Sequence, residues 1–323
     1  MAAMKNPGVH VVDKNAVPAA VVEVATAVPA FIGYTEKADN KGQSLAGTPW
    51  PVASLAEYQA YFGGAPSPTF RIDDKPPSDE PRAPGGAFTF QGRSYRLTRT
   101  GSCHLLYYSL LLFFQNGGGA CYIVSVGSYD ASIEPAALTN GIGRLLEETE
   151  PTMVVIPDAV RLEFDDCISE QLAALEHCGQ MHNRFAILDV WRGYVDRHDP
   201  AGDPVAAFRG ALVNNHLDLA AAYYPWVNTT TVQGGSLSFQ NIENADVLQQ
   251  LIGAELTRQA SAAADTARAE ALAEMVAQIT NRGADWTDAA GKPLDPGLIA
   301  SERANLEQSL VATSPIFNSI LQQ

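Results

Sequence analysis

Hydrophobic positions along the chain fall into short, fully apolar runs separated by amphipathic stretches. That is the pattern of buried strands alternating with helices. Val28–Tyr34 (VPAFIGY), Ala120–Val126, Met153–Ile156, Arg184–Val190 and Ala220–Tyr224 read as strands. His104–Gln115, Glu134–Glu148, Asp165–Cys178 and Pro204–Asn215 read as helices between them, the first of these a buried one. Repeating units of this length predict a mixed α/β fold, a mostly parallel sheet flanked by helices. A shorter helix is expected after Ser54, which forms a capping box with Glu57; Leu55, Tyr58 and Phe62 share one face, and Gly63-Gly64 ends it.

Other stretches break the alternation. Lys5–Val24 is rich in β-branched residues, and Pro7 and Pro18 oppose helix, so it reads as an extended arm. An arm must place its backbone hydrogen bonds somewhere, either on a neighbouring sheet or as an ordinary edge strand of its own domain. Asp39–Pro51 is polar and Gly-rich and is expected to be loop. Residues 65–101 form a Pro/Gly-rich insertion with a small hairpin at Ala87–Leu97 turning at Gln91-Gly92. Ala245–Ile279 reads as helical throughout, with Leu248, Leu251, Ile252 and Leu256 as its apolar stripe. Leu298–Leu310 and Ile316–Gln323 follow as helices. The expected division is an arm at 1–27, an α/β core at 28–230 and a mainly helical region at 231–323.

Composition narrows the partners. Lys+Arg number 21 against 36 Asp+Glu, a net charge of −15. Nucleic acid is therefore not an expected partner, because phosphate binding needs clustered basic charge. Docking on an anionic membrane is opposed for the same reason. The most apolar run, Leu105–Phe114, is too short to span a bilayer, so no direct membrane insertion is expected. The opening residues lack the basic and apolar regions of a secretory signal. Cys103, Cys121, Cys167 and Cys178 are then expected to be buried, reduced thiols.

Candidate chemistry is sparse. Asn116, Gly117, Gly118 and Gly119 lie in the order helix, glycines, strand, the reverse of a phosphate loop, and read as a tight structural turn. His177, Cys178 and His182 match no zinc spacing. Asp158, Asp165, Asp166 and Asp189 stand near strand ends, where α/β enzymes place acids, yet no nucleophile elbow accompanies them. Asp158 is expected to cap the segment that follows it. Ser102, Cys103 and His104 are too close in sequence to serve as nucleophile and base. No catalytic, cofactor or metal site is expected.

Several segments, in order, resemble the contractile tail sheath family. They are Asn6–Val11 (NPGVHV), Val24–Ala38 (VATAVPAFIGYTEKA), Ser54–Gly64, Phe113–Val124 (FFQNGGGACYIV), Phe185–Val190, Ala222–Trp226 (AYYPW) and Ser314–Phe317. The subgroup most similar is the sheath of phage-tail-like extracellular contractile injection systems. The resemblance implies a non-enzymatic structural subunit, assembled in the cytoplasm as stacked rings of six and released with a phage tail or phage-tail-like particle. Its implied partners are further copies of itself, an inner tube protein, and baseplate and terminal cap proteins, with no cofactor. It also implies that an inter-subunit arm, with Pro7, Gly8, Val9, His10, Val11, Val12, Val17 and Val21, adds a strand to a neighbour. The family pattern continues into a closing domain that is not found before Gln323, so the sequence is expected to be a fragment or truncation of a longer subunit, or to leave out residues beyond Gln323, with a natural short variant as the less favoured alternative. A baseplate or cap component of the same fold is the alternative; an α/β enzyme is a weaker one.

Overall fold

A computed structural model describes residues 27–74, 87–101, 103–213, 216–231, 238–281, 292 and 295–321. The strands, in chain order, are β1 (Pro29–Thr35), β2 (Asp39–Asn40), β3 (Gln43–Ser44), β4 (Trp50–Val52), β5 (Phe70–Asp73), β6 (Ala87–Phe90), β7 (Arg93–Arg99), β8 (Cys121–Ser128), β9 (Met153–Val155), β10 (Phe185–Asp189) and β11 (Ala220–Tyr223). The helices are α1 (Leu55–Phe62), α2 (Leu106–Gln115), α3 (Pro135–Arg144), α4 (Phe164–Met181), α5 (Pro204–Ala211), α6 (Ala245–Ala262), α7 (Thr266–Asn281), α8 (Pro296–Thr313) and α9 (Pro315–Leu321). The arm residues Pro7 to Val21 lie outside the described residues.

The main sheet has the order β11-β10-β9-β1-β8-β4. Its first five strands run parallel and β4 runs antiparallel at the edge. The chain steps from β1 to β8 on one side, then crosses back over β1 to β9 and continues outward. Right-handed crossovers require that reversal to switch faces. The two cores obey it. On one face α3, α4 and α5 pack on Ala30, Ile32, Tyr34, Val124, Val154, Ala186 and Leu188. On the other, α1 and α2 pack on Phe31, Val52, Cys121 and Ile123. Gly141 is where α3 comes nearest the sheet. A Cβ there would lie 2.6 Å from side-chain carbons of Ile32 and Val126, so any larger residue would push the helix off.

A second body of contacts joins distant segments. The insertion carries a three-stranded antiparallel sheet, β5-β7-β6, and not merely a hairpin. Its Ile72, Phe88, Phe90, Tyr95 and Leu97 share a core with Leu248, Leu251, Ile252, Leu256, Leu306 and Phe317 of the C-terminal helices. Asn244 stitches the two together: its amide accepts from Ile72 N at 3.0 Å and donates to Ile72 O at 2.8 Å. The side chain thereby completes the free edge of β5 as a neighbouring strand would. Buried Glu255 does the same for α9, accepting from Ser314 Oγ and from Ile316 N at 3.4 Å.

Several expectations need correction. Asp39–Pro51 holds a hairpin, closed by Lys41 (φ 53°) and Gly42 (φ 90°), with Asp39 accepting from Gly42 N. These left-handed residues make a tight two-residue turn. The same stretch ends in β4, where Pro51 is tolerated because an edge strand has one unpaired side. The 245–279 region is two helices and not one, since Asp265 accepts from Ala267 N at 3.0 Å and starts a new helix. Helix α2 begins only at Leu106 and buries a single face, with Leu112 38% exposed. The Ser54 cap is present, but Glu57 reaches back to Ala53 N and not to Ser54 N.

Replacing Asn244 by Ala strands two backbone groups of Ile72 and is expected to cost about 2 kcal/mol. Denaturant unfolding checks this, and Asn244→Asp, which keeps only an acceptor, should fall between the two.

Candidate functional site

In doubly wound sheets, ligands bind outside the carboxyl ends of the strands where the strand order reverses. Here that point lies beside the end of β1, between its neighbours β8 and β9. It is filled by the chain's own side chains. Asp158, in the turn after β9, is fully buried. Its Oδ1 accepts from Leu105 N at 2.5 Å and its Oδ2 from Tyr34 N at 3.1 Å. The carboxylate thus caps the start of α2 and fastens it to β1; it does not cap the segment that follows it, as the sequence suggested. Gly33 makes room, because a Cβ there would lie 2.5 Å from Asp158 Oδ2. Burial raises the Asp158 pKa above its usual value, opposed by the Leu105 and Tyr34 N–H groups and by His104.

Aromatic rings close the remaining space. The His104 ring stacks on Tyr34 with centroids 4.9 Å apart and on Tyr129 at 5.2 Å. Tyr34 OH accepts from Glu134 N, and Tyr129 OH donates to Gly64 O. Gly127 leaves the gap that the Tyr34 ring occupies. Burial lifts the phenol of Tyr34, and it lifts that of Tyr58 well above its usual value. The Tyr34 and Tyr129 hydroxyls are thus spent on backbone groups and both Asp158 oxygens accept backbone donors, whereas His104 Nδ1 is buried without a partner among the described residues.

The other singled-out acids are dispersed. Asp165 and Asp166 are exposed in the first turn of α4, where they complement its dipole. Asp189 ends β10, its pKa raised by burial. Cys103 is buried and free beside His104; Ser102 lies outside the described residues. Burial pushes the thiols of Cys121 and Cys167 up to about 12 and that of Cys178 to about 11, far from a reactive thiolate.

His177, Cys178 and His182 sit at the end of α4 without converging. His182 is the left-handed C-cap. His177 Nε2 lies 2.5 Å from Arg184 Nη1. Arginine only donates, so the imidazole is neutral with its proton on Nδ1. Arg184 also donates to Leu145 O and Glu148 O, locking the α3 end to β10. Among the described residues, no three His, Cys, Asp or Glu side chains come together as a metal site.

The glycine turn serves α2. Gly118 N donates to Phe113 O at 2.9 Å and Gly117 N to Phe114 O at 3.2 Å, the paired bonds of a Schellman helix end. Asn116 Nδ2 adds a bond to Leu112 O. Gly117 is needed for its φ of 86°. Gly118 is needed for space, as a Cβ would lie 2.5 Å from the Phe113 ring. At Gly119 a Cβ would meet nothing within 4 Å.

The fold is that of a doubly wound α/β protein. No known protein family and no curated protein matches the chain. Among the described residues, no helix is long and apolar enough to cross a membrane.

Asp158→Ala leaves two buried N–H groups unpaired and should destabilise by about 2 kcal/mol or more, read from the urea midpoint. A second expectation concerns acid. Burial, then Arg184, lower the His177 pKa from 6.5 to about 4. The unfolded chain therefore takes up the proton first, and stability falls as pH drops from 6.5 towards 4. His177→Gln should flatten the urea midpoint against pH across that window; an unchanged slope would refute the assignment.

Proposed function

We propose that the chain is a structural subunit of a contractile sheath, polymerising as stacked rings around an inner tube and contracting to drive that tube into a target cell. The observation that carries this reading is where the sheath-like segments fall. VPAFIGYT is the central strand β1 with the residue before it, FFQNGGGACYIV is the end of α2, its turn and the first half of β8, FAILDV is β10 with the residue after it, and AYYPW covers the end of β11. These are the framework of one sheet, while the usual ligand crevice of that sheet is occupied by Asp158 and its aromatic neighbours.

A feature of the surface also supports assembly. β11 is the terminal strand of the sheet. Around it, Val213 is 78% exposed, Val227 75%, Tyr223 57% and Leu217 50%. Large exposed apolar residues near in sequence to a strand that is terminal among the described residues are typical of a surface covered in an oligomer. In this reading the partners are neighbouring copies, the tube protein, and baseplate and cap proteins, in a phage tail or phage-tail-like particle. The arm with Pro7–Val12, Val17 and Val21 links one copy to the next. A baseplate or cap component of the same fold is the second reading, and copy number per particle separates the two.

Electron microscopy of purified particles should show helical striations around a tube. A chain lacking residues 1–17 should remain folded by circular dichroism yet form no long sheaths. Normal sheaths from that deletion would remove the arm from the argument, and particles devoid of this chain would remove the sheath reading.

A further inference from the structure

One strand beyond the filled switch point, the carboxyl edge opens into a cavity of about 240 Å³ between the starts of α4 and α5. Phe164, Trp191, Val195 and Pro204 form apolar walls, with Arg192 and Asp203 at the rim. Asp203 is already committed. It caps α5 through Val205 N and Ala206 N and pairs with Arg197 at 2.8 Å. The Arg192 guanidinium is not: no hydrogen bond or ion pair to it occurs among the described residues. In a chain with 36 acids against 21 bases, such a cation is conspicuous.

Its position is nonetheless well determined. The guanidinium lies over the Trp191 ring, 5.5 Å from its centroid, and 6.0 Å from that of Tyr194. These cation–π contacts hold the guanidinium without using its N–H groups. Trp191 is fixed by an edge contact with Phe164 and by donating Nε1–H to Leu162 O at 2.9 Å. The backbone at Arg192 is left-handed, with φ 52°. For a long side chain this conformation is uncommon and persists where its surroundings impose it. Here they do: Gly193 N donates to Val190 O, Val195 N to Arg192 O and Trp226 N to Gly193 O. A strained backbone thus presents an unpaired arginine to an aromatic-walled cavity.

We propose that this cavity binds a small organic monocarboxylate with a flat apolar body. The single guanidinium fork matches the two oxygens of one carboxylate. The Phe164, Trp191 and Pro204 walls match a ring or short apolar stem. Arg192 is the one cation lining the cavity, and Asp203 beside it is already paired with Arg197, so a phosphate or dicarboxylate finds no second cation among the described residues and is disfavoured. The cavity is smaller than the roughly 300–1,000 Å³ of drug-sized sites, which limits the ligand to about one ring. The site does not depend on the sheath reading.

Benzoate is the probe. Titrated into the full-length ¹⁵N-labelled protein, it should give a saturable shift of the Trp191 indole N–H, one of four tryptophans. Benzamide, of the same shape without the charge, should bind at least 10-fold more weakly. Arg192→Asn, which suits a left-handed backbone, should weaken benzoate at least 10-fold without lowering the thermal midpoint. No saturable shift at Trp191, equal binding of benzamide, or undiminished binding by the variant would each overturn the proposal. The benzoate and benzamide comparison needs no variant and decides the matter if Arg192→Asn fails to fold.

Discussion

The buried carboxylate of Asp158 holds the centre of this molecule together. It reaches the backbone of Tyr34 in β1 and of Leu105 at the start of α2, so one side chain joins the middle strand, the turn after β9 and the helix on the opposite face. Ionising a carboxylate away from water is costly, and the backbone donors to both oxygens offset part of that cost. Gly33 is the complementary requirement, since any side chain there would collide with the carboxylate. The His104, Tyr34 and Tyr129 stack then covers the site from solvent.

That arrangement has a functional consequence. The switch point of a doubly wound sheet is its natural crevice, and here the atoms that would meet a ligand are already bonded to the chain. The same sheet keeps open surface at its β11 end, through exposed apolar residues around a terminal strand, and a small aromatic cavity at Arg192.

The second core answers a different problem. Short strands β5, β6 and β7 bury little by themselves, and a small antiparallel sheet is marginal alone. They gain a core from helices more than 140 residues later in the chain, and Asn244 and Asn241 pin the junction through Ile72 and Pro68. The insertion is therefore tied to the C-terminal helices through its own packed core.

Local chemistry was legible wherever it is decided by neighbours in sequence. The central strands β1 and β8 announce themselves as apolar runs because both faces are buried over most of their length. The Ser54 cap, the Gln91-Gly92 turn and the helix end at Asn116–Gly119 follow from donors, acceptors and φ angles within a few residues. Even so, the alignment of motifs did not reveal that Gly117 serves conformation, Gly118 serves space and Gly119 neither. What the chain alone left undecided depends on partners far apart along it. Asp158 was visible as an acid after a strand, but its donors lie 53 and 124 residues away. Asn244 meets Ile72 across 172 residues. Arg192 carried no signal at all, because its significance is that its guanidinium has no ion-pair partner among the described residues. Sequence sets which groups must be buried or bonded; only the packed structure selects which groups satisfy them, since that choice is made by three-dimensional proximity.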